Sequence, residues 1–169
     1  MQGFNGNIEE LTLTNTYFRQ VLHTSKNFQL VVMTLKPNED IGFEVHNEND
    51  QFFRFEKGNG KVIIDETEYI VSDGSSVIVP MGSKHNVINT SSTDFLKFYT
   101  IYGPPHHKDK TVHKTKEEAM SSEEEFDGVT SELICHIIYP IWNSKIKLLV
   151  LLNAVDLFFL HLKLRMLLQ

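Results

Sequence analysis

Between about Phe28 and Tyr102 the chain is a succession of short β-branched and aromatic runs, each cut off by turn residues, and this pattern narrows the possible folds. FQLVVMTL (28–35) is closed by Pro37-Asn38. GFEVH (42–46), QFFRF (51–55) and KVIID (61–65) follow, and Gly58-Asn59-Gly60 reads as a hairpin turn between the last two. EYIV (68–71) ends at Ser72-Asp73-Gly74, and SVIVP (76–80), HNVIN (85–89) and FLKFYTIY (95–102) complete the set. No helical period intervenes. Strands this short and this evenly spaced predict an all-β antiparallel sandwich or barrel.

The flanks differ in composition. Residues 1–15 are polar and read as a loose N-terminal arm before a barrel over 16–113. Residues 114–132 are acidic and helix-favouring, with Thr115 as N-cap and Glu118 three residues on, which predicts a solvated surface helix. Residues 133–169 form a leucine-rich tail with almost no acid beyond Asp156. Its longest apolar stretch, Leu148 to Leu162, is interrupted by Asn153, Asp156 and His161. A spanning helix wants about 20 apolar residues, and a central Asp costs about 2.5–3.5 kcal/mol on insertion, which weighs against a transmembrane segment. An amphipathic helix stays open as a reading, and the preferred one is a translation artefact, such as an unspliced intron, with no selected fold.

The net charge of −6 and the lack of a Lys/Arg cluster interleaved with aromatics argue against a nucleic-acid partner. A single cysteine, Cys135, allows no internal disulfide and suits a reducing compartment. MQGFNGNIEELTLTN lacks the basic and apolar regions of a signal peptide, so the expected location is cytoplasmic.

The chemistry lies in EVHNENDQFFRF. Strand side chains alternate faces, so Glu44 and His46 share one side, as do Gln51, Phe53 and Phe55. If that side is the interior, a carboxylate, an imidazole and an amide enter one apolar cavity, where each needs a partner. A divalent metal satisfies all three, because it takes oxygen and nitrogen donors and neutralises the carboxylate. A fourth donor, His85, opens HNVIN, with Val87 and Asn89 alternating onto its face.

The stretch GSSVIVPMGSKHNVIN (74–89) has the form G-x5-P-x-G-x2-H-x3-N, and here the chain resembles the cupin superfamily, whose second motif matches at Gly74, Pro80, Gly82, His85 and Asn89. The first motif of the family, G-x5-H-x-H-x3-4-E-x6-G, is matched in spacing by Asn38, Glu44, His46, Gln51 and Gly58, with Glu44 in a histidine slot and Gln51 in the glutamate slot. The resemblance covers about 28–102, and the GPPHH…TVHKTKEEA segment extends it towards Ser131-Glu132. In detail the chain is similar to the small single-domain cupins named mannose-6-phosphate isomerase-like.

That resemblance implies a double-stranded β-helix (jelly-roll) barrel with a short C-terminal helix, and a homodimer pairing through edge strands. It also implies one divalent transition metal (Zn, Mn, Fe or Ni) on Glu44, His46, Gln51 and His85, with Glu44, His46 and His85 as the catalytic set. The implied function is a sugar isomerase or epimerase acting on a small molecule, with two alternatives: a non-haem iron(II) or nickel dioxygenase, suited to two histidines and one carboxylate, or a non-catalytic ligand-binding barrel. A sugar phosphate would need a cation, for which Lys61, Lys84 and Lys97 are the candidates. His106 and His107, adjacent in a loop, read as surface residues; His113 and Lys114 read as solvated loop residues, with a place at the barrel mouth against substrate as the alternative. His23 stands alone. Arg54 and Glu56 read as an outward surface pair, and Phe52 as packing on a second sheet or a partner.

Overall fold

The computed structural model describes residues 3–122 and 125–132, and the tail expected at 133–169, with Cys135 and His161, lies outside them. Ten strands follow one short helix: α1 (Ile8–Thr14), β1 (Arg19–Thr24), β2 (Gln29–Leu35), β3 (Glu44–Val45), β4 (Asp50–Lys57), β5 (Asn59–Ile64), β6 (Thr67–Ser72), β7 (Ser76–Val79), β8 (Lys84–Asn89), β9 (Leu96–Gly103) and β10 (Val112–His113), then α2 (Lys116–Ser121). They form two antiparallel sheets, ordered β10-β1-β2-β9-β4-β7 and β3-β8-β5-β6. This is the jelly-roll barrel that the strand pattern and the motif resemblance predict. Every strand read from the sequence is present, with ends shifted by one or two residues.

The interior follows from strict alternation. Along β4, Gln51, Phe53 and Phe55 are buried while Phe52, Arg54 and Glu56 are only half-buried; along β9, Leu96, Phe98, Thr100 and Tyr102 are buried. The registers Phe55↔Phe98, Phe53↔Thr100 and Gln51↔Tyr102 place these side chains in rows across the large sheet. Val62 and Val87 oppose one another on the small sheet, and both sheets contribute to one apolar cluster. Phe98 packs edge-on to Phe53 at 5.8 Å and against Phe55 at 5.2 Å. Burying such a ring is worth about 1.5–3 kcal/mol.

The Gly58-Asn59-Gly60 turn does not close a hairpin. β4 pairs with β7 and β9, whereas β5 pairs with β6 and β8, so the turn carries the chain from one sheet to the other. Glycine is required at this corner. Gly58 has φ +94, and a Cβ there would lie 2.5 Å from the Phe95 carbonyl; a Cβ on Gly60 would lie 2.6 Å from that of Ile88.

The strand β1 and the helix α1 are additions to the sequence reading. The segment read as a loose arm holds α1, capped where Asn7 accepts from the Glu10 amide, with Thr12 fully buried. The helix packs on the outer face of β2 and β9, where the Lys97 ammonium donates to the Asn15 carbonyl at 2.7 Å. In the acidic segment α2 covers only Lys116–Ser121, and the Thr115 side chain accepts from the Glu118 amide as the capping pattern predicts. Among the described residues no helix is long and apolar enough to cross a membrane.

Candidate metal centre

Three of the four predicted ligands converge. Glu44 on β3 pairs across the sheet with His85 on β8, which brings their side chains to the same inner face. His46 follows one alternation after Glu44, and its carbonyl accepts from the Gly82 amide at 2.8 Å, so the Pro80–Gly82 turn ties it to the entrance of β8. One donor atom from each of Glu44, His46 and His85 lies within 4.8 Å of the others, and the two imidazole centroids are 5.1 Å apart. His85 is fully buried, His46 is 7% exposed, and Glu44 sits half-buried at the mouth.

The donors suit a cation. His85 Nδ1 lies 3.3 Å from the Ser83 carbonyl, and donating there leaves the Nε2 lone pair facing the cavity. The Nε2 of His85 and the Oε1 of Gln51 are buried without a hydrogen-bond partner, and the Nε2 of His46 has the Glu44 carboxylate at 3.4 Å as its neighbour. The two orphans would each cost about 1–3 kcal/mol unless something fills the space between them. Burial pushes the Glu44 carboxyl upward, but its contact with His46 and the charges of Arg19, His46 and His85 outweigh that and hold it below its ordinary value. Burial lowers His85 in turn, which favours the neutral, ligating imidazole. An anionic oxygen and two neutral imidazoles form a donor set for a divalent transition metal.

Gln51, the fourth predicted ligand, faces the same interior beside Tyr102. Its Nε2 donates to Thr100 Oγ1 at 3.1 Å, which turns the carbonyl oxygen into the unpartnered position. Asn89, the last residue of the second motif, has a structural role. Its Nδ2 donates to the carbonyls of Leu35, Lys36 and Asp94, and its Oδ1 accepts from the Ser91 amide.

Several residues read as surface belong to the site. His106 lies with its ring 4.2 Å from that of His46, and its pKa is lowered to about 4, first by burial and then by the neighbouring His46. His107 is 6% exposed and T-shaped against Tyr102 at 5.1 Å, and His113 is buried on β10. One buried amide fixes this segment: Gln29 Nε2 donates to Thr24 Oγ1 and the His107 carbonyl, while its Oε1 accepts from the amides of His106 and His107. Arg19 was missed altogether. It lies at the start of β1, 7% exposed, with Nη2 3.6 Å from Glu44 Oε1. A cleft of about 690 Å³ opens here, lined by Arg19, Glu44, His106, His107, His113 and Phe126.

The lysines proposed as phosphate partners point elsewhere. Lys61 pairs with Glu68 at 2.8 Å, Lys84 lies over the Phe43 ring at 4.7 Å, and Lys97 is held by α1. Arg54 and Glu56 form the expected pair at 3.5 Å on the outer face, and Phe52 packs beside Tyr99 there. His23 lies with its ring 6.0 Å from that of Phe4, tilted by 34°, and is not part of the Glu44–His46–His85 cluster.

Residues 31–102 match the cupin domain family. The crystal structure of BH2720 from Bacillus halodurans superposes with a TM-score of 0.70 at 39% identity, covering 72% of this chain and 96% of that one. The chain belongs to the cupin superfamily. Among curated relatives, the uncharacterized protein L612 of Acanthamoeba polyphaga mimivirus is 46% identical over 60% of this chain, and the uncharacterized protein YrkC of Bacillus subtilis 44% identical over 70%. The match spans just under two thirds of each relative, 65% and 66%. This cupin thus carries a Glu–His–His cluster that can bind a metal at the mouth of its barrel.

Proposed function

We propose that this cupin is a metal-dependent enzyme of small-molecule metabolism, an isomerase or epimerase of a sugar-type substrate. The observation that carries the reading is the convergence of Glu44, His46 and His85, with the unpartnered carbonyl oxygen of Gln51 as fourth donor. A divalent ion held there would supply Lewis acidity towards a substrate carbonyl. Isomerisation also needs a base that is not itself consumed as a ligand. His106 is the group so placed: it lines the cleft, stands outside the Glu–His–His cluster and is neutral at pH 7, but with a pKa lowered to about 4 it is a weak base and depends on the ion to acidify the carbon next to the polarised carbonyl. Tyr102, which burial keeps protonated, stacks on His106 at 5.3 Å and orients it.

A second reading draws on the donor set itself. Two histidines and one carboxylate suit iron(II) or nickel oxygen chemistry, and Phe53, 6.2 Å from His85, gives the centre an apolar wall. Metal content of protein purified without added metal, followed by turnover assays, separates the two. Zinc or manganese with aldose–ketose interconversion supports the isomerase; iron or nickel with dioxygen uptake supports the oxygenase. Protein that retains no metal and binds none on titration would leave a ligand-binding barrel. The single cysteine fits action in the cytosol. We further propose a homodimer that pairs through edge strands; Ile70 on β6 and Ile78 on β7 are 80% and 66% exposed along two such edges. Native mass measurement tests it.

A further inference from the structure

Arg19 has no role in the chemistry above, yet its burial demands one. The residue is 7% exposed, its Nε is buried without a hydrogen-bond partner, and among the described residues its ion-pair partner is Glu44. A buried cation with a single carboxylate partner is strongly destabilised when that partner is taken away. Metal binding does that. A divalent ion on Glu44, His46 and His85 claims the carboxylate charge, which leaves Arg19 and the ion with two positive charges that no buried group among the described residues balances. The carboxylates on the same cleft, Glu125 and Asp127, are exposed on its outer wall, where water and salt screen them. His106, His107 and His113 on the remaining walls bring no negative charge.

We infer that Arg19 is the anchor for an oxyanion of the substrate, a carboxylate or a phosphate, and that it becomes available only when a divalent ion takes Glu44. The inference rests on the metal reading and narrows its substrate to an anionic small molecule. A guanidinium presents paired donors that match both oxyanions, and burial of Arg19 to 7% exposure strengthens each charge-assisted bond it makes. The site acts as a charge relay in the plain sense. In the stripped protein Arg19 neutralises Glu44; in the loaded protein the incoming anion neutralises Arg19. Metal and anion therefore bind with positive coupling, and the coupling is reciprocal.

The test is calorimetric titration of full-length protein with malonate, with inorganic phosphate and with glycerol, stripped of metal and loaded with the ion it retains. The loaded protein is expected to bind malonate or phosphate about tenfold or more tightly than the stripped protein, and the anion to raise metal affinity by the same factor. Glycerol should show no such gap. Arg19→Gln is expected to keep its metal, with affinity unchanged or raised because nothing competes for Glu44, and to lose most of the anion coupling. Arg19→Lys should retain part of it. Equal anion affinity with and without metal overturns the inference, as does a glycerol response equal to that of the anions or an Arg19→Gln protein that binds anion like the wild type. If Arg19→Gln does not fold, the wild-type coupling and the glycerol comparison decide alone. Failure to bind any divalent ion sinks the metal reading and the inference together, whereas metal binding without anion coupling sinks only the inference.

Discussion

The two ends of this barrel are built from the same strands and obey opposite rules. At one end β4 and β9 contribute Phe55, Phe98 and Leu96, and the small sheet adds Val62 and Val87; these side chains are 0% exposed and their requirements are met by packing alone. At the other end the same two strands contribute Gln51 and Tyr102, which lie among His46, His85, His106 and Arg19, and several polar atoms there have no partner. A fold selected for stability alone has no reason to bury those atoms. The difference fits the proposal that stability is given up at the mouth for binding.

The contrast can be broken from either end. The largest effect is expected at the closed end: Phe98→Ala should lower unfolding free energy by about 3–5 kcal/mol, read by denaturant titration, while the folded fraction keeps its metal stoichiometry. At the mouth the signature reverses. His85→Ala should reduce metal affinity by about a hundredfold or more, measured by competition with a chelator, with the midpoint of the stripped protein changed far less. A variant that kept its metal would remove the centre described here. Gln29→Ala comes next. It strips the partners from the His106 and His107 backbone and should cost about 1–3 kcal/mol by thermal or chemical unfolding.

The smallest effect is a pH slope. His107 is held well below its ordinary value, chiefly by burial and then by the charge of Arg19. Below about pH 6.5 the unfolded chain takes up a proton that the folded chain refuses, so stability is full above that value and falls as pH drops beneath it. The midpoint of unfolding should decline between pH 7 and 5, and His107→Gln should flatten the decline. An unchanged slope in that variant would place the titrating group elsewhere.

How much of this could be read from the sequence depended on whether the information was local. Strand alternation is local, so QFFRF put Gln51, Phe53 and Phe55 on one face directly, whereas the inward face of FLKFYTIY came only with its register against that strand. Spacing around Pro80 and Gly82 is local as well, and it tied His85 to the site. The Glu44-x-His46 pair survived because a two-residue spacing keeps both side chains on one face. What failed was long-range. Gly58-Asn59-Gly60 signals a turn but cannot say whether its flanks pair or part, and they part. Arg19 reaches Glu44 only because β1 stacks beside β2 in the large sheet, and RQVLHT has too mixed a pattern to announce a strand. His106 and His107 looked like adjacent loop residues with diverging side chains. The missing fact was Gln29, 77 and 78 positions away, which draws their backbone into the barrel. A usable clue was nevertheless present: GPPHH begins one residue after Tyr102, the last inward residue of β9.

The Gln29 amide has a practical corollary. Because its two hydrogens and its oxygen are all spent on Thr24 and the 106–107 backbone, even the near-isosteric Gln29→Glu is a poor replacement, since a carboxylate would confront the His107 carbonyl with no proton to offer. Anyone wishing to re-tool this protein for a bulkier guest would do best to leave that bolt in place and vary only the exposed side chains of Glu125 and Asp127 on the cleft wall, because the Phe126 amide between them donates to the His106 carbonyl at 2.9 Å and helps hold the same loop.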